Sequence, residues 1–323
     1  MVLDEKNIKT FSLIGSRATF GMAALELIKI KEKMMILTSD VSTSAGLDRF
    51  RKNYSDNFIE IGIAEQNLIG VAAGLASEGF DVITTTFSPF QTLRCCEQIK
   101  VNLGYMNEKV TMVGLASGLV LGSLGYTHCS IEDIGVLRSI PNLTILSPAD
   151  CGETAKCLTA ALEHKNSVYI RLTGGSNNKP VYSKDYKYEI GKGIKLKEGK
   201  DISIFATGTM VRNALDVAEN LDKKKISCSV INMHTIKPID EKIIINECEK
   251  SKMIVSIEEH NVIGGLGSAI SEVKTKIKNS PIQLTIGVED KYSKGGSYQY
   301  LQEYFKLDIK NLENKIYEQF RKI

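Results

Sequence analysis

The sequence predicts an α/β protein of two domains, each a mostly parallel sheet flanked by helices. Short apolar runs rich in β-branched residues alternate with helix-length periodic segments in both halves, as in sheets covered on both faces. A breaker cluster, Thr173-Gly-Gly-Ser-Asn-Asn-Lys-Pro180, separates the halves. A chain of 323 residues, 43% hydrophobic, is long enough for two cores. The domains are assigned to residues 1–185 and 186–323, and the lysine-rich connector up to Gly199 is expected to form an antiparallel hairpin.

In the first half, the spacing of Phe20, Met22, Ala23, Leu25, Leu27 and Ile28 predicts a helix over 19–30, entered through Gly15-Ser16-Arg17. Residues 34–38 read as a buried strand ending in Ser39-Asp40, followed by a polar loop, 42–46. Residues 58–63 form the next strand, which turns at Gly62-Ile63-Ala64 into a helix over 66–77. Ala72, Ala73, Gly74 and Ala76 let that helix lie close to its neighbours. A strand over 82–86 runs into Phe87-Ser88-Pro89-Phe90, and a helix is expected over 91–102. A strand over 110–114 leads into a glycine-rich loop, 116–127, too aperiodic for an element; His128 stands at its far end, before a helix over 131–139. Strand 143–146, helix 149–163 and strand 168–172 complete this half.

The second half predicts strands at 202–206, 228–231, 253–257 and 282–286, separated by helices at 210–221, 240–250 and 266–277. Helices at 298–305 and 309–321 follow. Gly264-Gly265-Leu266-Gly267 invites a dinucleotide reading. It lacks the third glycine and the later acidic residue of that fingerprint, so a tight turn capping a helix is the reading adopted.

A net charge of +3 with no basic run gives no sign of nucleic-acid binding. Seven cysteines without a C-x-x-C pair suggest neither a disulfide framework nor a zinc site, and core packing is expected of Cys95 and Cys96. No charged-then-apolar leader or membrane-length apolar run occurs, so a reducing cytoplasm is the expected compartment. Glu65, at a strand-to-helix junction among apolar neighbours, admits two readings. It is an acidic residue favoured by the helix dipole, or a carboxylate held at fixed depth to exchange a proton with a ligand.

Four segments of the first half together resemble the pyrimidine-binding domain of the transketolase family of thiamine-diphosphate enzymes. They are G-I-A-E-Q-N (Gly62 to Asn67), T-F-S-P-F (Thr86 to Phe90), G-Y-T-H-C-S-I-E-D-I (Gly125 to Ile134) and L-R-S-I-P-N (Leu137 to Asn142). The second half, with T-I-K-P-I-D (Thr235 to Asp240) and E-E-H-N-V-I-G-G-L-G-S-A (Glu258 to Ala269), is similar to that family's C-terminal domain. The family's G-D-G motif, which holds the cofactor diphosphate through a metal, does not occur. The resemblance therefore implies the C-terminal half of a split enzyme, active only with an N-terminal-half partner that brings the diphosphate and Mg²⁺ site, in an α₂β₂ assembly. No metal ligand is expected in this chain.

The resemblance also implies roles. Glu65 is the catalytic carboxylate on N1′ of the cofactor's aminopyrimidine, favouring the tautomer that takes the thiazolium C2 proton. Phe87 and Phe90 pack on the pyrimidine, with Leu93 replacing a third aromatic; Asp40 lies near the cofactor. His128 matches a catalytic, substrate-binding histidine, although a lone histidine before a helix is often structural. Arg17, Ser44 and Arg171 match positions that clamp a sugar phosphate, a task that suits the arginine fork; each could instead be a surface or interface residue. His260 is read as structural.

Two departures stand out. Gly122-Ser123-Leu124-Gly125 replaces G-E-D-G, so Leu124 stands in place of an aspartate that recognises a sugar hydroxyl, and Ala116 replaces a phosphate-binding histidine. Leucine cannot accept a hydrogen bond, which implies a substrate other than the common pentose phosphates, such as a deoxy or modified sugar. The leading expectation is transfer of a two-carbon ketol unit from a ketose to an aldose. The alternatives are a 1-deoxyxylulose-phosphate-synthase-like condensation of pyruvate with an aldehyde, or a non-catalytic regulatory subunit. A 2-oxoacid dehydrogenase β-subunit shares the two-domain plan but usually lacks the T-H-x-x-x-E-D pattern found here.

Overall fold

A computed structural model describes residues 3–323 and contains two sheets. The first half contributes six parallel strands: β1 (Met34–Thr38), β2 (Phe58–Glu60), β3 (Asp81–Phe87), β4 (Val110–Leu115), β5 (Leu143–Leu146) and β6 (Ser167–Arg171). The second half contributes β7 (Ile194–Lys197), β8 (Ile202–Ala206), β9 (Cys228–Asn232), β10 (Thr235–Lys237), β11 (Met253–Asn261) and β12 (Ile282–Val288). The strand orders are β10-β5-β6-β4-β3-β1-β2 and β12-β11-β8-β9-β7. Every residue of β1, β4, β5 and β6 is buried, as expected of parallel strands covered on both faces.

Among the described residues, eight α-helices accompany the first sheet: α1 (Glu5–Ile14), α2 (Ser16–Leu27), α3 (Asp48–Asn53), α4 (Glu65–Ser77), α5 (Ser88–Gln91), α6 (Cys96–Gln98), α7 (Asp133–Arg138) and α8 (Cys151–Glu163). The second carries α9 (Met210–Lys223), α10 (Glu241–Lys250), α11 (Leu266–Lys274), α12 (Tyr298–Tyr304) and α13 (Ile309–Phe320). Asp4, Asp150, Asp240, Ser297 and Asp308 each cap a helix by accepting a backbone N–H of its first turn. Among the described residues, no helix is long and apolar enough to cross a membrane.

The cores run across the division at residue 185. One cluster joins Phe11 and Phe20 to Leu158 and Ile170 on one face of the first sheet. The opposite face, with Leu68, Ile69, Leu137 and Tyr169, continues into Phe205, Ile231, Ile244 and Ile270 of the second half. A third cluster, around Ile204, Val217, Val255 and Leu312, takes in Leu119 and Ile131 from the first half.

Two expectations are corrected. The helix expected over 91–102 breaks after α5. The chain unwinds at 92–95, turns through α6 and continues as a π-helix, Ile99–Tyr105. Carbonyls freed by the break are taken by side chains: the Cys95 thiol donates to the Phe90 carbonyl and the Gln66 amide to that of Arg94. The connector hairpin is absent, because β7 pairs antiparallel with β9 rather than with a connector strand. A strand that the sequence reading did not assign, β10 from the T-I-K-P-I-D motif, leaves its own half and pairs antiparallel with β5 at the edge of the first sheet.

Candidate active site

In a parallel sheet all carboxyl ends lie along one edge, and in open α/β sheets ligands bind there. The residues following β1, β2, β3 and β4, adjacent in the sheet, converge on this edge. After β1, Asp40 adopts a left-handed backbone (φ 56°). Glu60, at the end of β2, ties the turn together. Its carboxylate accepts the Thr38 hydroxyl at 2.5 Å and the backbone N–H groups of Asp40 and Gly62 at 2.7 and 3.0 Å. Gly62 takes φ 76°, which lets the chain reverse into α4.

Glu65 opens α4 and is 4% exposed. A carboxylate buried this far needs a compensating partner. Arg94, released by the break after α5, provides it: its Nη1 donates to Glu65 Oε1 at 2.7 Å, and its side chain stays 42% exposed. The guanidinium carbon lies 4.0 Å from the Phe90 ring centroid, a cation–π contact. Oε2 of Glu65 has no hydrogen-bond partner among the described residues. Phe87 is the last residue of β3, and Phe90, which carries the Arg94 contact, follows three residues on. Their rings meet edge-on at 6.4 Å, and His128 packs against both, 6.1 Å from Phe87 and 5.2 Å from Phe90. Nδ1 of His128 shares a hydrogen bond with the Thr127 hydroxyl at 3.0 Å, and Nε2 has no hydrogen-bond partner among the described residues. The result is an acceptor oxygen, three aromatic rings and an unengaged imidazole nitrogen on one surface. Concavities lined by residues such as Asn7, Met22 and Arg49, or Asn178, Arg212 and Gln302, lie elsewhere.

A sequence profile described as the transketolase pyrimidine-binding domain matches residues 13–178, and one described as the transketolase C-terminal domain matches residues 191–312. The chain belongs to the transketolase family. It is 35% identical to a 6-deoxy-6-sulfo-D-fructose transketolase subunit of a Clostridium species, over 94% of this chain and 93% of that one. It is 32% identical to one of the subunits of an apulose-4-phosphate transketolase of Phocaeicola vulgatus, over 92% of this chain and 95% of that one. A solved split-gene transketolase, described as an inactive beta4 tetramer, superposes with a TM-score of 0.86 at 34% identity, covering 95% of this chain and 98% of that one.

Membership implies dependence on thiamine diphosphate, and the transketolase residues present fit its aminopyrimidine. The free Oε2 of buried Glu65 suits a ring nitrogen, and the Phe87 and Phe90 faces suit a weakly polar ring kept from water. Leu93, in place of a third aromatic, is half-exposed.

The remaining candidates are placed differently. Leu124 stands 56% exposed on the loop that carries His128. Ala116 is buried at the start of that loop with φ 52°. The 42–47 loop, which carries Ser44, packs on α2, which carries Arg17: a Cβ at Gly46 would lie 2.9 Å from Ala18 Cα and 3.1 Å from the Arg17 carbonyl oxygen. No hydrogen bond, ion pair or ring contact links either to the Glu65–His128 group.

Arg171 is corrected. It is 1% exposed, and its guanidinium is spent on Asp133 Oδ2 at 2.8 Å and on the carbonyls of Ser130 at 3.0 Å and Glu259 at 2.9 Å. Inside the domain interface it has no route to a phosphate. Sequence reasoning missed Arg94, because nothing local connects it to Glu65 across 29 positions. Glu60 was missed for the same reason: a strand-end acid reads as surface until the turn folds around it.

Proposed function

We propose that this chain is the pyrimidine-binding half of a split, thiamine-diphosphate-dependent transferase that moves a two-carbon ketol unit from a ketose donor to an aldose acceptor. The observation that carries the reading is the buried Glu65 carboxylate, with one oxygen free, set against Phe87, Phe90 and His128 at the carboxyl edge of the sheet. When bound, thiamine diphosphate supplies the electron sink for breaking and remaking a bond beside a ketose carbonyl. Glu65 holds a proton at N1′ of its pyrimidine. Phe87 and Phe90 exclude water from that ring, Asp40 borders it, and His128 presents Nε2 to the substrate oxygen. Arg17 and Ser44 form the phosphate end of the site.

A surface that meets the pyrimidine but supplies nothing for the diphosphate calls for a second wall. The partner is an N-terminal-half subunit that holds the diphosphate and Mg²⁺, in an α₂β₂ assembly. Leu124 favours a sugar without the usual hydroxyl at that point, or with another group there. The two relatives named for a sulfo-deoxy-fructose and for apulose 4-phosphate support a modified sugar.

Calorimetric titration of thiamine diphosphate with Mg²⁺ should give binding to the mixture with the partner subunit and none to this chain alone. In the mixture, Glu65→Gln should keep that binding and lower turnover by about 10²- to 10⁴-fold, the usual contribution of a positioned proton-transfer group. Tight binding to this chain alone, or unchanged turnover of the variant, would reject the proposal. Release of CO₂ from pyruvate as the donor would assign the synthase-like reaction instead.

A further inference from the structure

The loop bearing Leu124 and His128 is fastened mainly by the second half of the chain. Gly118 and Ser130 close its neck with two backbone hydrogen bonds, of 2.8 and 3.0 Å. Immediately inside the neck, the Leu119 N–H donates to Glu259 Oε1 at 2.8 Å, and the Leu119 side chain is buried in the core of the second sheet. Glu259 lies in the register break of β11, and its other oxygen accepts the Tyr298 hydroxyl, from the start of α12, at 2.5 Å. Only glycine fits at Gly118 beneath this carboxylate, because a Cβ there would overlap Glu259 Oε1. Further along the loop, the Gly122 carbonyl accepts the Gly296 N–H at 2.9 Å, and a Cβ on Gly122 would overlap the Leu301 side chain. Tyr126 bonds Ser293 at 2.9 Å and packs edge-on against Tyr292 at 4.8 Å.

We propose that Glu259, braced by Tyr298, is the positioning residue for this substrate loop, and that the C-terminal domain serves the reaction by fixing where Leu124 and His128 stand. The inference rests on the reading of those two residues as substrate contacts. Glu259 touches neither substrate nor cofactor and acts through the Leu119 amide. A loop fastened at its neck transmits a small shift there to His128 at its far end, and misplacement by about an ångström can cost two orders of magnitude in rate.

Three variants of the full chain test this. Glu259→Ala removes both hydrogen bonds. Glu259→Gln keeps an oxygen for the Leu119 N–H and can donate to the Tyr298 oxygen. Tyr298→Phe removes one hydroxyl at nearly constant volume. Hydrogen exchange on the chain alone should quicken at least about tenfold across amides 119–129 in Glu259→Ala, less in Tyr298→Phe and hardly in Glu259→Gln. In the complex with the partner subunit, Glu259→Ala should raise the KM for the sugar by about tenfold or more, with thiamine diphosphate affinity within about twofold and with Glu259→Gln near wild type. Unchanged exchange in 119–129 for both Glu259→Ala and Tyr298→Phe would overturn the inference. So would faster exchange spread through both sheets, or a cofactor affinity that falls in step with the sugar. If Glu259→Ala does not fold, Tyr298→Phe decides alone. If the wild-type complex transfers no ketol unit, the functional reading fails, whereas the exchange data still decide whether Glu259 holds the loop.

Discussion

Glu65 shows why a buried charge is informative. Its burial would be costly without Arg94, yet Arg94 engages one oxygen and leaves the other without a hydrogen-bond partner among the described residues. Leu124 carries the specificity argument at this scale. In the complex, Leu124→Asp should shift preference toward acceptors with the additional hydroxyl by about tenfold, the worth of one hydrogen bond gained or one left unpaired. Competition between deoxy and hydroxylated acceptors measures it, and an unchanged ratio would remove Leu124 from the site. His260 has a different role. Its Nε2 accepts the Gly135 N–H at 3.2 Å and Nδ1 lies 2.7 Å from the Asn261 carbonyl, so the neutral ring with hydrogen on Nδ1 is the form that fits. Burial lowers its pKa to about 4, against the Asp133 carboxylate, which raises it. An unfolded histidine binds a proton below about 6.5 while this one resists until about 4, so its contribution to stability is present at neutral pH and lost as pH falls through that window. By pH 5 the loss should be about 2 kcal/mol, and urea unfolding at pH 7 and 5 should show a smaller difference for His260→Gln.

At the scale of elements, α2 and the loop after β1 approach so closely that only glycine fits at Gly21, where a Cβ would overlap the Gly46 carbonyl oxygen. The obstacle is backbone, so it cannot be relieved by a rotamer change. Gly21→Ala should cost about 1–3 kcal/mol through overpacking, read as a lower denaturant midpoint. It should also raise the KM for phosphorylated sugars, because the two elements carry Arg17 and Ser44. The glycine turn before α11 obeys the same logic in reverse. Gly264 takes φ 81°, and the buried Glu258 carboxylate accepts the N–H groups of Leu266 and Gly267 at 2.7 and 2.8 Å, capping the helix from a neighbouring strand. That arrangement explains the double glycine without a dinucleotide.

At the scale of the molecule, the two halves are interlocked. Strand β10 completes the first sheet, Leu119 and Ile131 enter the second core, and the Asp133–Arg171 pair is sealed between them. Severing one half would expose the apolar surface of the shared core and leave β5 as an unpaired edge. Thermal unfolding of this chain should therefore be a single transition, with calorimetric and van't Hoff enthalpies in agreement. Two resolved transitions would show that the shared surfaces contribute little.

Much of this architecture is legible along the chain, because its signals are local. Apolar runs of strand length and glycine turns depend on neighbours a few positions away, and so does the G-I-A-E-Q-N junction that carries Glu65. Phe87 and Phe90 are equally legible, three apart at a strand end. What sequence could not supply are pairings across long separations. Arg94 reaches Glu65 only because a helix breaks where its freed carbonyls find side-chain donors. Arg171 looks like a phosphate ligand until Asp133, 38 positions earlier, closes on it. Glu259 meets Leu119 across 140 positions. The periodicity of a chain records which faces must be buried, whereas the partner of a buried charge is fixed by which elements the packing brings together.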